Sequence, residues 1–142
     1  MRVLETSVEI AATPERVWQV LTDFDAYPVW NPFVTSIEGV AQPGEQLVVR
    51  LQPPGGRGIT MRPRVQSADR GRRLAWLGHL GVRGVFDGAH EFLLDGGDAT
   101  TTFTQRETFR GALVPFTGRL LARTEAGFEA MNAALKERVE SR

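Results

Sequence analysis

The segment that decides the fold, Leu113–Val139, is LVPFTGRLLARTEAGFEAMNAALKERV. One set of mostly apolar residues recurs in it at steps of three and four, as on one face of an α-helix. These residues are Leu113, Phe116, Leu120, Thr124, Gly127, Phe128, Met131, Leu135 and Val139. The spacing predicts one helix of about 40 Å, at 1.5 Å per residue. Such a helix needs a large partner, and its apolar face either fills the core or in part lines a cavity.

The composition is that of one globular domain, which we place at residues 1–142. The 17 Lys and Arg balance the 17 Asp and Glu, and this zero net charge argues against a binding surface for nucleic acid or an acidic membrane. The sequence has no cysteine, which excludes disulfides, thiolate nucleophiles and Cys-ligated metals. It also has no signal-peptide core and no apolar run of about 18 residues. We therefore expect a cytoplasmic protein without stable membrane insertion.

Two short helices are predicted after a first strand, Leu4–Ile10. Thr13 precedes a proline, a pairing typical of an N-cap and the first helical residue. Asp25–Pro32 contains two prolines, and each disfavours helix in the residue before it. A second helix there is therefore short and broken, with Tyr27 and Trp30 as aromatic anchors.

The rest of the chain alternates between predicted strands and turns. The strands are Phe33–Val40, Glu45–Gln52, Ile59–Ala68, Arg72–Gly78, Val85–Leu94 and Thr100–Arg110. Such short turns between consecutive strands require antiparallel pairing, and the Gly-rich turn at 95–98 is a strong hairpin signal. The sequence thus predicts an α+β fold. A curved antiparallel β-sheet of six to seven strands surrounds the long C-terminal α-helix, and two short helices follow strand 1.

Four motifs, spread over nearly the whole chain, carry family information: Thr13–Trp18, Phe24–Phe33, Phe86–Phe92 and Arg123–Asn132. Together they resemble the helix-grip superfamily (SRPBCC) of START lipid-transfer domains, pollen allergens and polyketide cyclase/dehydrase-like proteins, and in particular its small bacterial branch. The resemblance implies a helix-grip fold with a deep cavity between the sheet and the last helix, used mostly for hydrophobic ligands. Its members include carriers, cyclases and regulators, so the fold does not decide the function.

The last predicted strand carries polar side chains on its apolar face. Phe103, Gln105, Glu107 and Phe109 alternate along one side of it, and the aromatic residues should turn this side toward the helix. A carboxylate carried inward must be paired, hydrogen-bonded or protonated. Glu107 is then either tied to an arginine or the backbone, or it serves as a polar anchor or general acid/base in an apolar cavity.

His90 falls on the apolar side of the preceding strand, where it is either a satisfied core residue or a working base. Unless Gly88 introduces a bulge, His90 and Glu107 face the same interior from adjacent strands. They are the best-placed titratable pair in the sequence and the catalytic candidates.

The expected cavity has a volume of about 300–1,000 Å³ and is lined by Phe86, Phe92, Phe103, Phe109, Leu120 and Phe128. The full set of expected ligand contacts is Met61, Trp76, Phe86, His90, Phe92, Phe103, Gln105, Glu107, Phe109, Leu120, Thr124 and Phe128. No metal is expected, because two histidines without cysteine form no metal-ligand spacing. No cofactor is expected either.

Three functions remain open. The first is binding, and possibly transport, of a small hydrophobic ligand. The second is a cyclase, dehydratase or isomerase that acts on a polyketide-like or aromatic substrate, with Glu107 or His90 transferring a proton. The third is an interaction module that contacts a protein partner through an exposed region at Tyr27–Phe33.

Gly127 lies on the apolar face of the long helix, where glycine costs about 0.5–1 kcal/mol relative to alanine. Its presence indicates a close approach to a large side chain. We expect that side chain to be Trp18, Trp30 or Trp76.

Overall fold

A computed structural model of the chain describes residues 1–141. Its last helix, α3 (Gly118–Glu140), is unbroken and packs on the sheet. The other elements are β1 (Arg2–Ile10), α1 (Pro14–Thr22), α2 (Tyr27–Trp30), β2 (Val34–Glu38), β3 (Val48–Leu51), β4 (Ile59–Met61), β5 (Arg64–Asp69), β6 (Arg73–His79), β7 (Asp87–Gly96) and β8 (Thr101–Arg110). None of the helices within these residues combines the length and the apolar character needed to cross a bilayer.

The strands form two antiparallel sheets, one in the order β1-β8-β7-β6-β5 and one in the order β2-β3-β4. The predicted helix-grip fold is confirmed, with eight strands rather than six or seven. The difference arises in the predicted strand Ile59–Ala68, which divides at Pro63 into β4 and β5, and these belong to different sheets. Proline cannot donate to a strand ladder, and the Pro63 carbonyl instead accepts from the Leu47 N–H at 2.8 Å.

The predicted strand Glu45–Gln52 is divided in the same way. Its second half is β3, whereas its first half hydrogen-bonds to the start of β5. The Gly44 N–H donates to the Val65 carbonyl, and the Val65 N–H donates to the Glu45 carbonyl, both at 2.9 Å. This crossing ties the small sheet to the edge of the large one.

The long helix begins later than its apolar pattern predicts. Val114–Phe116 forms a 3₁₀ turn, and α3 starts only at Gly118. Leu113 and Phe116 are 48% and 82% exposed, so the first two positions of the predicted apolar face lie on the surface. Pro115 accounts for the delay, since it lacks the N–H of a regular helical turn and is tolerated only near a helix start.

The helix at residues 14–22 is capped as predicted, because the Thr13 hydroxyl accepts from the Arg16 N–H at 3.2 Å. Tyr27 is fully buried, and its hydroxyl donates to the Leu21 carbonyl. Burial raises the pKa of this phenol. Phe33 is also buried, so the exposure expected for the Tyr27–Phe33 region is wrong at both ends.

Gly127 does lie against an aromatic ring, but the ring is that of Phe33 rather than a tryptophan. A methyl group at Gly127 would come within 2.6 Å of Phe33 Cε1 and 2.9 Å of Phe33 Cγ. The same ring packs edge-on against Phe128 at a centroid distance of 5.7 Å. The ring is therefore enclosed and has little room to yield.

We expect Gly127→Ala to lower the melting temperature by several degrees. The gain in helix propensity is at most about 1 kcal/mol, whereas overpacking a buried contact costs roughly 1–3 kcal/mol. Gly118→Ala is the matched control, since a methyl group there would contact nothing within 4 Å. Thermal unfolding monitored by circular dichroism measures both variants, and a higher melting temperature for Gly127→Ala would contradict the tight contact.

Candidate functional site

His90 and Glu107 face each other across the β7–β8 ladder. They are register partners, and the pairing runs without a bulge from Asp87 to Gly96. His90 Nδ1 lies 3.1 Å from Glu107 Oε1. Both side chains are buried, His90 being 4% and Glu107 9% exposed. The pair predicted from strand parity is thus in hydrogen-bonding contact, and the bulge considered at Gly88 does not occur.

Gln105 extends this pair to the long helix. Its Oε1 lies 3.0 Å from His90 Nε2, and its Nε2 donates to the Phe128 carbonyl at 3.2 Å and to Asn132 Oδ1 at 2.8 Å. Asn132 Nδ2 in turn donates to the Thr6 hydroxyl at 2.9 Å. A continuous chain of buried polar groups therefore runs from β7 and β8 through α3 to β1.

The orientation of the Gln105 amide shows which nitrogen of His90 must carry a hydrogen. A backbone carbonyl is only an acceptor, so the Gln105 group that faces Phe128 is the NH₂, and the group that faces His90 is the carbonyl oxygen. An amide oxygen accepts hydrogen bonds and donates none. His90 Nε2 must therefore carry a hydrogen.

The other histidine nitrogen shares a second proton with Glu107. A neutral imidazole with hydrogen only on Nε2, beside a carboxylate, would set two lone pairs 3.1 Å apart. The contact instead requires an imidazolium beside a carboxylate, or a neutral imidazole that accepts from a carboxylic acid at Oε1. In both arrangements one proton lies between Nδ1 and Oε1, and Glu107 Oε2 remains a hydrogen-bond acceptor.

Glu107 Oε2 has no hydrogen-bond donor among residues 1–141. It lies over Gly88, where a side chain would overlap it and approach Glu107 Cδ to 3.3 Å. Gly88 therefore provides the space for the carboxylate. The carboxyl group thus has one oxygen that contacts His90 and one that faces the space of the cavities rather than sealed protein.

Two small cavities meet at this carboxyl group. The inner cavity has a volume of about 20 Å³, and the outer cavity has a volume of about 30 Å³. The inner one is lined by Phe33, Val34, Val49, Leu51, Met61, Pro63, Trp76, His90 and Glu107. The outer one is lined by Leu51, Ile59, Met61, Leu80, Phe86, Gly88, Glu107, Phe109, Leu120 and Thr124. Glu107, Met61 and Leu51 belong to both and form the wall between them.

The cavity volume predicted from sequence is wrong for this structure, since the enclosed space is about tenfold too small for a ligand. The lining is wrong in part. Phe92, Phe103 and Phe128 are fully buried, stack against one another or against His90, and line neither cavity. Gln105 is also fully buried and reaches the cavities only through His90.

The remaining predicted contacts do lie on the cavity walls. Six line one cavity only, and Met61 and Glu107 line both. The six are Trp76 and His90 in the inner cavity, and Phe86, Phe109, Leu120 and Thr124 in the outer one.

The amino-acid sequence matches the family model for "Polyketide cyclase / dehydrase and lipid transport" over residues 1–140. The chain belongs to this family. The resemblance carried by the four sequence motifs is thereby confirmed. No curated protein matches the sequence.

Solved structures of similar proteins share the fold at low identity. A START superfamily protein from Mycobacterium smegmatis is 22% identical with a TM-score of 0.73, and the match covers 98% of this chain and 97% of that one. Zhui aromatase/cyclase from Streptomyces sp. R1128 is 23% identical with a TM-score of 0.74, covering 99% and 94%. A protein from Mesorhizobium loti is 15% identical with a TM-score of 0.79, covering 99% and 98%. At these identities the likeness shows the fold alone.

Sequence reasoning missed the part of the cavity wall that comes from the small sheet apart from Met61, namely Val34, Val49, Leu51 and Ile59. The sequence signal for this wall is a pair of glycines inside strands, a pattern typical of close approach. Gly78 and Gly88 are register partners on β6 and β7. Gly88 accommodates the Glu107 carboxylate, and a side chain at Gly78 would come within 2.8 Å of the Met61 methyl group.

A larger concavity, of about 570 Å³, is an open groove between β1 and α3. Its walls include Thr6 and Asn132, the far end of the polar chain, together with several glutamates. Lys136 crosses it and donates to the Glu9 carbonyl and to Glu140. The groove is thus a solvated surface, linked to the cavities only through the buried hydrogen bonds.

Replacing the central amide should destabilise the fold. We expect Gln105→Leu to lower the free energy of unfolding by about 2 kcal/mol or more, because it leaves the His90 Nε2–H and Asn132 Oδ1 buried without partners. Thr108→Val is the matched control, since Thr108 lies on the opposite face of β8. Urea unfolding of both variants gives the comparison, and equal stabilities would mean that the polar chain contributes nothing.

Proposed function

We propose that the protein binds a small, largely apolar molecule that carries a hydroxyl group, with the hydroxyl donating to Glu107 Oε2. The observation that carries the proposal is the position of this oxygen, an acceptor without a donor among residues 1–141, on the common wall of two apolar cavities. An acceptor that faces an apolar cavity gains from a ligand that supplies a hydrogen bond there. This function lies within the range of the family, whose model is described as covering both polyketide cyclase/dehydrase and lipid transport.

The walls on either side of Glu107 support an apolar and partly aromatic ligand body. In the inner cavity Trp76 stacks on His90 at a centroid distance of 5.6 Å. In the outer cavity Phe86 and Phe109 pack together at 5.5 Å. Flat aromatic surfaces favour offset or edge-on contact with a second ring. A bicyclic or larger ring system with one hydroxyl group fits these walls chemically.

Met61 is the side chain that must move for such a ligand to enter. It separates the two cavities, its methyl group rests over Gly78, and it is only partly buried. Methionine has three rotatable side-chain bonds and adapts readily to new surroundings. Its strand, β4, has three residues and pairs only with β3 among the described residues. Displacing Met61 would merge the two cavities beside Glu107.

The proposed ligand contacts are therefore Met61, Trp76, Phe86, His90, Glu107, Phe109, Leu120 and Thr124. Phe92, Phe103, Gln105 and Phe128 are assigned a supporting role behind them. A cytoplasmic location and a protein partner stay predictions from the sequence.

The proposal is tested with two probes of nearly equal size, 2-naphthol and 2-methylnaphthalene, of which only the first has a donor. We expect the ratio of their dissociation constants to change about tenfold in Glu107→Leu, because this variant removes the acceptor, and a hydrogen bond contributes roughly 1 kcal/mol, or 1.5–3 kcal/mol when it is made to a charged group. Fluorescence titration of the naphthalene ring measures both affinities. Glu129→Leu, at an exposed residue of α3, is the matched control and should leave the ratio unchanged.

Met61→Ala supplies the second arm of this experiment. By removing the side chain between the cavities, it should tighten the binding of both probes without altering their ratio. A ratio that is the same in wild type and Glu107→Leu would refute the hydroxyl anchor. Failure of both probes to bind Met61→Ala would refute the cavity as the binding site.

A second candidate function is proton transfer on a bound ketone, and the proton shared between His90 and Glu107 favours it. As a carboxylate, Glu107 would take a proton from the carbon beside the carbonyl through Oε2. The electron pair of that C–H bond would become the C=C bond of the enolate, and the π pair of the carbonyl group would move to its oxygen. The His90 imidazolium would stabilise the carboxylate before the transfer. Reprotonation at carbon would then return the carboxylate.

Deuterium exchange of 2-tetralone in D₂O distinguishes this enzyme from a pure binding protein. Catalysis predicts exchange at carbon 1 above the buffer rate, lost in Glu107→Gln and retained in Glu129→Gln, as followed by proton NMR. Probe binding with exchange at the buffer rate would assign the site to binding alone.

A further inference from the structure

Three exposed apolar side chains cluster beside the outer cavity. Val82 is 72% exposed, and Leu113 and Phe116 are exposed as described above. The segments that carry them, 80–86 and 110–123, are joined by backbone hydrogen bonds from the Ala112 N–H to the Gly84 carbonyl at 3.1 Å and from the Leu113 N–H to the Val85 carbonyl at 3.0 Å. We name these two segments the mouth surface.

The charges of the mouth surface are all of one sign. Arg83, Arg110, Arg119 and Arg123 are exposed, and none of them forms an ion pair with any residue from 1 to 141. Segments 80–86 and 108–124 contain no Asp or Glu. The zero net charge of the whole chain therefore conceals a local excess of positive charge, which Asp87, the register partner of Arg110, offsets only in part.

Asp87, the acid that directly follows segment 80–86, forms hydrogen bonds at the base of the loop that this segment makes. His79 Nδ1 lies 2.8 Å from its Oδ1, and the Gly84 N–H donates to both of its oxygens at 3.1 Å. The hydrogen bond to His79, followed by those from Gly84, holds the pKa of this carboxyl group below its usual range. Asp87 thus fixes the loop that presents Val82 and Arg83.

The mouth surface also borders the candidate site. Leu80 and Phe86, at the two ends of the loop, and Leu120, in the first turn of α3, line the outer cavity. An apolar molecule that leaves this cavity between the two segments would emerge among Val82, Phe116 and the arginines.

We propose that the mouth surface docks onto an anionic lipid bilayer. Phe116, Leu113 and Val82 would enter the interface, and the arginines would lie at the level of the headgroups. The apolar residues lie on a loop and a 3₁₀ turn rather than in a groove, a shape that suits insertion into lipid better than contact with a folded protein. Docking depends on the mouth surface alone and does not require the ligand proposed above.

Vesicle co-sedimentation tests the proposal with the full-length protein. We expect binding to phosphatidylcholine vesicles that contain phosphatidylserine, weak binding to phosphatidylcholine alone, and release by high salt. Arg83→Gln and Arg119→Gln should each weaken partitioning about fivefold. Phe116→Ser should weaken it about tenfold, because it removes a large apolar group from the interface.

Matched controls lie at the other end of the molecule. Val29 is 75% exposed on α2, beside the C-terminal turns of α3, and Arg72 is exposed at the start of β6, the end opposite the loop. Val29→Ser and Arg72→Gln should leave partitioning unchanged. Thermal melts verify that every variant is folded.

Three outcomes would overturn bilayer docking. The first is absence of binding to phosphatidylserine vesicles at low salt. The second is binding that Phe116→Ser leaves intact, since the contact would then be electrostatic only. The third is that the protein binds poly-L-glutamate but not vesicles, and that the arginine variants lose the binding to poly-L-glutamate. This result would assign the surface to an acidic protein. Failure of the naphthalene probes leaves the vesicle result unaffected, so the two proposals stand or fall separately.

Discussion

The structure depends on one requirement: Gln105, fully buried on the face of β8 that packs against α3, must have its amide hydrogen-bonded. An apolar helix face alone tolerates small rotations and slides, because hydrophobic contact has no direction. The Gln105 amide removes that freedom, since its NH₂ group must meet the Phe128 carbonyl and Asn132 Oδ1 together. The hydrogen bond from Asn132 to Thr6 then ties the same turn of α3 to β1. The helix is therefore positioned by a directional contact at its centre.

The same requirement determines the chemistry of the candidate site. Because the amide presents its oxygen to His90, it fixes a hydrogen on Nε2, and this leaves only Nδ1 to interact with Glu107. The donor-to-acceptor direction of these hydrogen bonds thus follows from one backbone carbonyl in α3, that of Phe128. At the other end it leaves Glu107 Oε2 as an acceptor that no side chain among residues 1–141 satisfies. Because Oε2 lies over Gly88, which has no side chain, it faces the cavities rather than packed atoms.

Much of this arrangement was predictable from the sequence, because it follows from strand parity. Alternation in β8 placed Gln105 and Glu107 inward, and an antiparallel hairpin placed His90 beside them. Parity gives the face of a strand but not its distance from the opposing layer, so it could not separate Phe92 and Phe103, which fill the core, from Phe109, which borders a cavity. Nor could local pattern show that Pro63 sends the chain from one sheet to another, which is what places Met61 over Gly78. The ring against Gly127 was wrongly sought among the tryptophans for the same reason: Phe33 reaches it through the tertiary fold.

The small volume of the cavities and the carboxyl oxygen that faces them are consistent with each other. An apolar cavity of ligand size, left without its ligand, is destabilising in proportion to its volume, at about 24 cal/mol per Å³. A cavity of about 300 Å³ would thus cost several kcal/mol, a large fraction of the stability of a domain this small. Met61, which lies over Gly78 and between the two cavities, avoids that cost and can yield by side-chain rotation alone. The carboxyl group needs only a small polar molecule or a ligand hydroxyl as its partner, so it does not oppose closure. A site built in this way would be stable when closed, and under the proposed function it would open for a ligand whose apolar surface replaces the contacts of Met61 and whose donor hydrogen-bonds to Glu107.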